Sequence, residues 1–294
     1  MFRYAHLNAN PVLVSTKRNG IPIVATRNGF NYVISAVEVN NAVYLFDASS
    51  KNGQVNLLKP NILNWQGRLI REDGSSTWVL LIPSKHAVSN VMLNATITKD
   101  LNVNGDVKKR ITGHLAIEAR EKFSNVAKDD IRKELEKNKI ETELSNIEIK
   151  DLDNLGKPVS LSYNFESFNL VEEIEGKLYV SPMLFIGEKG NPFISEERIY
   201  PVDFGYLKKM RALVNIDIPE GYTVEQLPEN TSFSFGNNDA IFRYKISSTA
   251  TKIQLSLEFS INQSLISPSN YKNLKGFYQL MVDKQNEKVV LSKQ

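Results

Sequence analysis

The sequence predicts a mainly β fold of the α+β class. N-terminal hairpin strands come first, then antiparallel β-sandwich-like domains carrying one inserted helix and a C-terminal helix. Three observations predict it. Two apolar runs, residues 32–39 and 43–46, flank Asn40-Asn41, a pair that tolerates the positive φ of a tight hairpin turn. From residue 91 onward, apolar and polar residues alternate in short runs broken by Gly, Pro and Asn, as half-buried strands require. Only two stretches, near residues 130 and 275, repeat apolar residues at helical spacing.

In chain order, Pro11-Val12-Leu13-Val14-Ser15-Thr16 is an apolar, β-branched strand that stops at the turn pair Asn19-Gly20, and Asn28-Gly29 makes a second turn. The hairpin of residues 32–46 follows. Asp47-Ala48-Ser49-Ser50 comes at its end, where polar side chains tend to face a cleft. Residues 67–70 and 78–82 read as further strands, closed by Pro83. Residues 91–101 alternate, turn at Asn104-Gly105 and continue through 107–117 as one long hairpin with a single buried face.

Residues 128–137 predict a helix. Asp129 and Asp130 oppose its dipole favourably, and Ile131 with Leu135 makes an i,i+4 apolar pair. Residues 144–149 and 159–168 alternate again. The last third carries strands near 212–218, 232–235, 240–246 and 252–261, with a turn at Pro219-Glu220-Gly221-Tyr222. A terminal helix opens at Ser269 and runs to about Gln285, with Leu274, Phe277, Tyr278 and Met281 as its core stripe. Residues 1–83, 84–199 and 200–294 are the expected domains.

Composition narrows the function classes. Lys plus Arg number 36 against 33 for Asp plus Glu, a net charge of +3 with both signs interspersed, which argues against a nucleic-acid partner. The chain has no cysteine, so disulfides and thiolate metal sites are excluded. His6, His86 and His114 are too widely separated for a metal-ligand spacing, and no cofactor is expected. No apolar run reaches the ~20 residues of a membrane helix. The opening residues lack a signal peptide's apolar stretch and cleavage site; taken literally, they predict a cytoplasmic chain.

Phe30-Asn31-Tyr32-Val33-Ile34 through Tyr44-Leu45-Phe46-Asp47-Ala48-Ser49 resembles the end of a transglutaminase-like core, a papain-like fold that uses a Cys-His-Asp triad. More particularly, the chain resembles the Bacteroidetes proteins in which this core lies between β-rich domains known as DUF3857 and DUF3858. Residues 11–20 look like the strand after the Cys helix, and residues 63–70 like the loop and strand after the Asp. Tyr200-Pro201-Val202-Asp203-Phe204-Gly205, Ile218-Pro219-Glu220-Gly221-Tyr222 and residues 271–291 resemble the C-terminal β-domain. The resemblance makes residues 1–83 the remnant of a transglutaminase-like core and residues 200–294 a DUF3858-like domain.

Carried over residue by residue, the resemblance puts the triad Asp at Asp47 and the triad His at Tyr32, with the Cys position before Met1. A tyrosine, neutral until pH ~10, is a poor general base. The resemblance therefore implies a degenerate, non-catalytic chain, a pseudoenzyme of the periplasm or cell envelope. A part of a cysteine enzyme whose Cys-bearing portion is missing, and a polysaccharide- or peptide-binding β-sandwich, are the alternatives. Asp47 is expected to hydrogen-bond backbone at the strand end, and Tyr32 to be a cleft aromatic whose hydroxyl meets Asp47. Tyr32, Asp47 and Trp65 are the candidate ligand cleft, although core packing is the commoner role for a tryptophan such as Trp65.

No other chemistry stands out. Ser49 has no neighbouring His and no nucleophile-elbow pattern. The pairs Glu172-Glu173 and Glu196-Glu197 read as solvated loop charges. Gly20, Gly29 and Gly53 lack phosphate-loop spacing. Peptide, polysaccharide or another envelope protein is the expected partner.

Overall fold

The computed structural model describes residues 2–21, 26–137, 139 and 141–294. Strands β1 Ala9–Val14, β2 Tyr32–Val39, β3 Ala42–Phe46, β4 Trp65–Ile70 and β5 Ser76–Leu81 form a five-stranded sheet in the order β3-β2-β1-β4-β5. Asn40 and Asn41 take φ of 49° and 64°, which gives the β2–β3 turn the twist of its strands. Alternation along β1 and β2 sends Val12, Val14, Ile34 and Ala36 to one face, where they bury against Leu58, Ile62 and Leu69. The turns at Asn19-Gly20 and Asn28-Gly29 are single 3-10 turns, Lys17–Asn19 and Arg27–Gly29.

The rest of the chain runs β6 Ala87–Ile97, β7 Val103–Ile111, α1 Gly113–Phe123, α2 Lys128–Glu136, β8 Thr142–Lys150, β9 Val159–Ser167, β10 Val171–Ile174 and β11 Lys177–Val180. It continues with β12 Val202–Asp203, β13 Lys208–Asp217, β14 Tyr222–Gln226, β15 Thr231–Phe235, β16 Ala240–Ser248, β17 Lys252–Ile261, β18 Leu265–Ile266, α3 Tyr271–Asn286 and β19 Val289–Lys293. An eight-stranded sheet has the order β15-β16-β17-β13-β6-β7-β9-β8, and a four-stranded sheet the order β10-β11-β19-β14. Strands β6 and β13 pair in parallel, so residues 84–199 and 200–294 contribute to one continuous sheet. Its inner face, with Leu93, Val107, Val214 and Leu255, shares one core with Leu178 and Leu291 of the smaller sheet and Leu274 and Met281 of α3.

The mainly β class, the helix at 128–136 and the terminal helix are as the sequence predicts. Two local expectations are corrected. The β6–β7 turn lies at residues 98–102, where Thr98 N donates to Asn102 O at 2.8 Å and Leu101 has φ 62°. Asn104-Gly105 sits inside β7. There Gly105 is needed because a Cβ would stand 1.9 Å from the Asn94 carbonyl oxygen of the paired strand. The second half of the expected hairpin is not a strand throughout. β7 ends at Ile111, and Gly113, at φ 62° against Ala87, turns the chain into α1. Alternation hid a helix whose Ala116 and Ala119 pack with Val159 and Ile111. A further correction concerns Glu172 and Glu173, which lie on β10 and pair with Lys288 and Lys293 rather than standing in a loop.

Arg120 of α1 braces the loop that joins β8 to β9. Its buried guanidinium donates to the carbonyls of Asp151, Leu152, Asn154 and Lys157 at 2.7–3.3 Å, shaping the β8–β9 loop. Gln54 reaches that loop by donating to the Leu155 carbonyl. His114 Nε2 donates to Leu58 O at 2.7 Å, while its ring stacks on Tyr206 with centroids 4.4 Å apart.

Candidate functional site

The open end of the small sheet is held by side-chain amides. Asn31 Oδ1 accepts from Thr16 N at 2.9 Å, and its Nδ2 donates to Thr16 Oγ1 at 3.0 Å. Asn64 Nδ2 donates to the carbonyls of Ser15 and Gly20 at 2.9 and 2.8 Å. These bonds fix where the chain enters β2, and so where Tyr32 stands. The β1–β2 register sets Val14 opposite Tyr32, and the β2–β3 register sets Ser35 opposite Phe46, which brings Asp47 back toward Tyr32.

Tyr32 Oη donates to Asp47 Oδ1 at 3.0 Å. The same oxygen accepts from Ser49 N at 3.0 Å and Ser49 Oγ at 2.8 Å, an Asx turn closing the strand end. Ser49 Oγ is also in close hydrogen-bonding contact with Tyr32 Oη. Burial first, then the bond and charge of Asp47, push the Tyr32 phenol above its ordinary value; the bond from Ser49 works the other way. Tyr32 is therefore a neutral donor across the physiological range.

Asp47 is buried, and its Oδ2 has no hydrogen-bond partner among the described residues. It stands on the wall of a groove of about 890 Å³ lined also by Phe2, Pro11, Val33, Phe46 and Val55. Ser49 lines a second cleft, of about 450 Å³, shared with Lys59, Arg120 and Leu155. Tyr32, Asp47 and Ser49 come together as one cluster. Of the three residues expected to form a cleft only Asp47 lines one: Tyr32 and Trp65 line neither, and Trp65, 48% exposed with φ 64°, is neither part of the cluster nor a core residue.

An imidazole uses two nitrogens, one donating to a carboxylate and the other taking a proton from a nucleophile. A phenol has one oxygen for both tasks. In Tyr32 that single oxygen is the one that donates to Asp47, an arrangement able to hold a strand end or orient a ligand. Among the described residues no group of His, Asp and Glu is arranged to hold a metal ion. Glu196 and Glu197 form ion pairs with Lys275 and Lys272 on the outside of α3. The Tyr32–Asp47 contact is as the sequence spacing predicts; the structure adds Ser49 to it.

Residues 176–291 match the model of a family described as a domain of unknown function with solved structure, DUF3858. A solved structure described as that of a candidate protease from Parabacteroides distasonis aligns with 99% of this chain at 8% identity and a TM-score of 0.47. The alignment takes in 41% of that protein, so this chain spans about two-fifths of its length. No curated protein matches the chain.

Proposed function

We propose that the small sheet is the degenerate remnant of a transglutaminase-like core, and that the chain acts as a non-catalytic binding or structural module of the cell envelope. The observation that carries this reading is the 3.0 Å bond from Tyr32 Oη to Asp47, made at the position where such a core needs a histidine. A phenol raised above its ordinary value and committed to a carboxylate supplies neither a general base nor an imidazolium partner for a thiolate. Tyr32 imposes this whether or not a cysteine is supplied from elsewhere. The DUF3858 match at residues 176–291 supports the kinship, and the envelope placement rests on the resemblance of residues 30–49 and 200–222 to exported proteins.

The test is turnover. Purified chain, incubated with glutamine-donor and unstructured peptide substrates, is expected to give no transamidation or cleavage above buffer. Turnover that disappears in Tyr32→Phe would give the phenol a catalytic part and overturn the reading. Turnover that persists in Tyr32→Phe would mean that the triad position is wrongly assigned.

A further inference from the structure

The inner face of the eight-stranded sheet is buried, and its outer face is open. On that outer face the strand registers align Arg243, Glu258, Arg211, Arg110 and Lys150 in one row of side chains, and Lys245, Lys108 and Glu148 in the next. Six cations thus face two carboxylates in these two rows. The next two rows of the same face carry Asp106, then Asp217, Glu166 and Glu143 with Lys252, so the positive excess is confined to one end of the sheet. Both carboxylates of the first two rows are already engaged. Glu258 accepts from Arg211 Nε at 2.9 Å and Arg243 Nη1 at 2.7 Å, and Glu148 pairs with Lys150 at 2.9 Å. Lys108, Arg110 and Lys245 are exposed and make no ion pair among the described residues.

Between these cations the central strands place two apolar side chains, Met92 on β6 and Leu213 on β13, paired directly in register and 42% and 39% exposed. They form the floor of a shallow trough of about 910 Å³ that Lys108, Arg110 and Arg211 border. Apolar residues in the middle of an open sheet, bordered by Arg211 and by the unpaired Lys108 and Arg110, match a ligand that is both acidic and apolar. Among the described residues no aromatic ring lines the trough, so it lacks the stacking platform on which sugars and bases are held. The charged rows cross seven strands at ~4.8 Å spacing, a reach of roughly 30 Å, the length of about nine extended residues.

We propose that this open face docks an acidic, amphipathic polypeptide segment, whose carboxylates meet Lys108, Arg110 and Arg211 and whose apolar side chains seat on Met92 and Leu213. Methionine's unbranched chain lets such a seat adapt to different side chains. The surface is separate from the Tyr32 cluster, so either reading can fail alone.

Fluorescence polarisation of the full chain with a labelled ten-residue peptide of alternating Glu and Leu is the direct test. Binding is expected at about 50 mM NaCl and is expected to weaken at least about tenfold at about 500 mM. The double variant Lys108→Glu/Arg110→Glu should lose about tenfold or more, the milder Lys108→Gln/Arg110→Gln somewhat less, and Met92→Ser/Leu213→Ser several-fold, with unchanged melting curves. A peptide with Gln in place of Glu should not bind, and Tyr32→His should bind like the parent chain. Absence of binding by the acidic peptide, equal binding by the charge-reversed variant, or preference for oligogalacturonate or oligo-dT over the peptide overturns the proposal.

Discussion

The eight-stranded and five-stranded sheets solve the same problem by different means. The eight-stranded sheet is closed by apolar interdigitation, with Phe277 of α3 set among Phe233, Phe235, Phe259 and Tyr278 at centroid distances of 5.3–6.4 Å. The five-stranded sheet has a much smaller core around Val12, Val14, Ile34 and Leu69. Its ends are tied by polar side chains: Asn31 to Thr16, Asn64 to Ser15 and Gly20, Tyr32 and Ser49 to Asp47, and Arg71 to Glu38 through 2.6–3.2 Å bonds. Apolar burial is worth ~1.5–3 kcal/mol for a large side chain, against about 1 kcal/mol net for a typical hydrogen bond. The difference teaches that the large sheet carries the stability, and the small one carries defined geometry at its open end.

Both tryptophans, Trp65 and Trp78, lie in the small sheet, so indole fluorescence reports that region while far-ultraviolet circular dichroism reports the whole. The largest expected effect is Phe277→Ala, which removes the centre of the aromatic cluster and should cost about 3–5 kcal/mol in urea unfolding followed by dichroism. A loss under about 1 kcal/mol would break the comparison, because the large sheet would then not depend on its apolar core.

Asn64→Ala should cost about 1–2 kcal/mol, since two carbonyls lose their donor, and the loss should show first in the indole signal. Coincident indole and dichroism transitions in this variant would mean that the two sheets unfold as one unit, which sharpens the comparison into one of local geometry alone.

The smallest effect concerns the junction. Burial holds the His114 imidazole below its usual value, outweighing the Leu58 carbonyl and Glu118, which act in the opposite direction. The unfolded chain therefore binds the proton more readily, so stability is complete above about pH 6.5 and is lost as pH falls toward the folded-state value. Melting temperature should drop between pH 7.5 and pH 5.5 by about a few degrees, and less in His114→Gln. An equal drop in that variant would place the acid sensitivity elsewhere.

Much of the fold is legible along the chain because its signals are local. Asn40-Asn41 between apolar runs predicts β2–β3, and the stripe Leu274, Phe277, Tyr278 and Met281 predicts α3. Helix α1 was obscured because residues 107–117 alternate well enough to pass for a strand, and only the Gly113 turn against Ala87 breaks it. The hairpin β10–β11 was missed because its turn, Glu175-Gly176 at φ 51° and 76°, follows only four strand residues. At the site, the spacing of Tyr32 and Asp47 was enough to foresee their meeting, since hairpin register is set by the turn. Trp65 was misplaced because exposure at a positive-φ strand start depends on what packs above it, and composition carries no such information.

The sequence by itself determined the β class, the hairpin that joins Tyr32 to Asp47 and the two amphipathic helices, because each follows from neighbours within a few turns or across one tight loop. Only the tertiary structure decided that β6 and β13 pair in parallel, about 120 residues apart along the chain, and that Lys108, Arg110 and Arg211 therefore share one face. Pairing across such a separation is selected by burial summed over a whole sheet, and no local pattern records it.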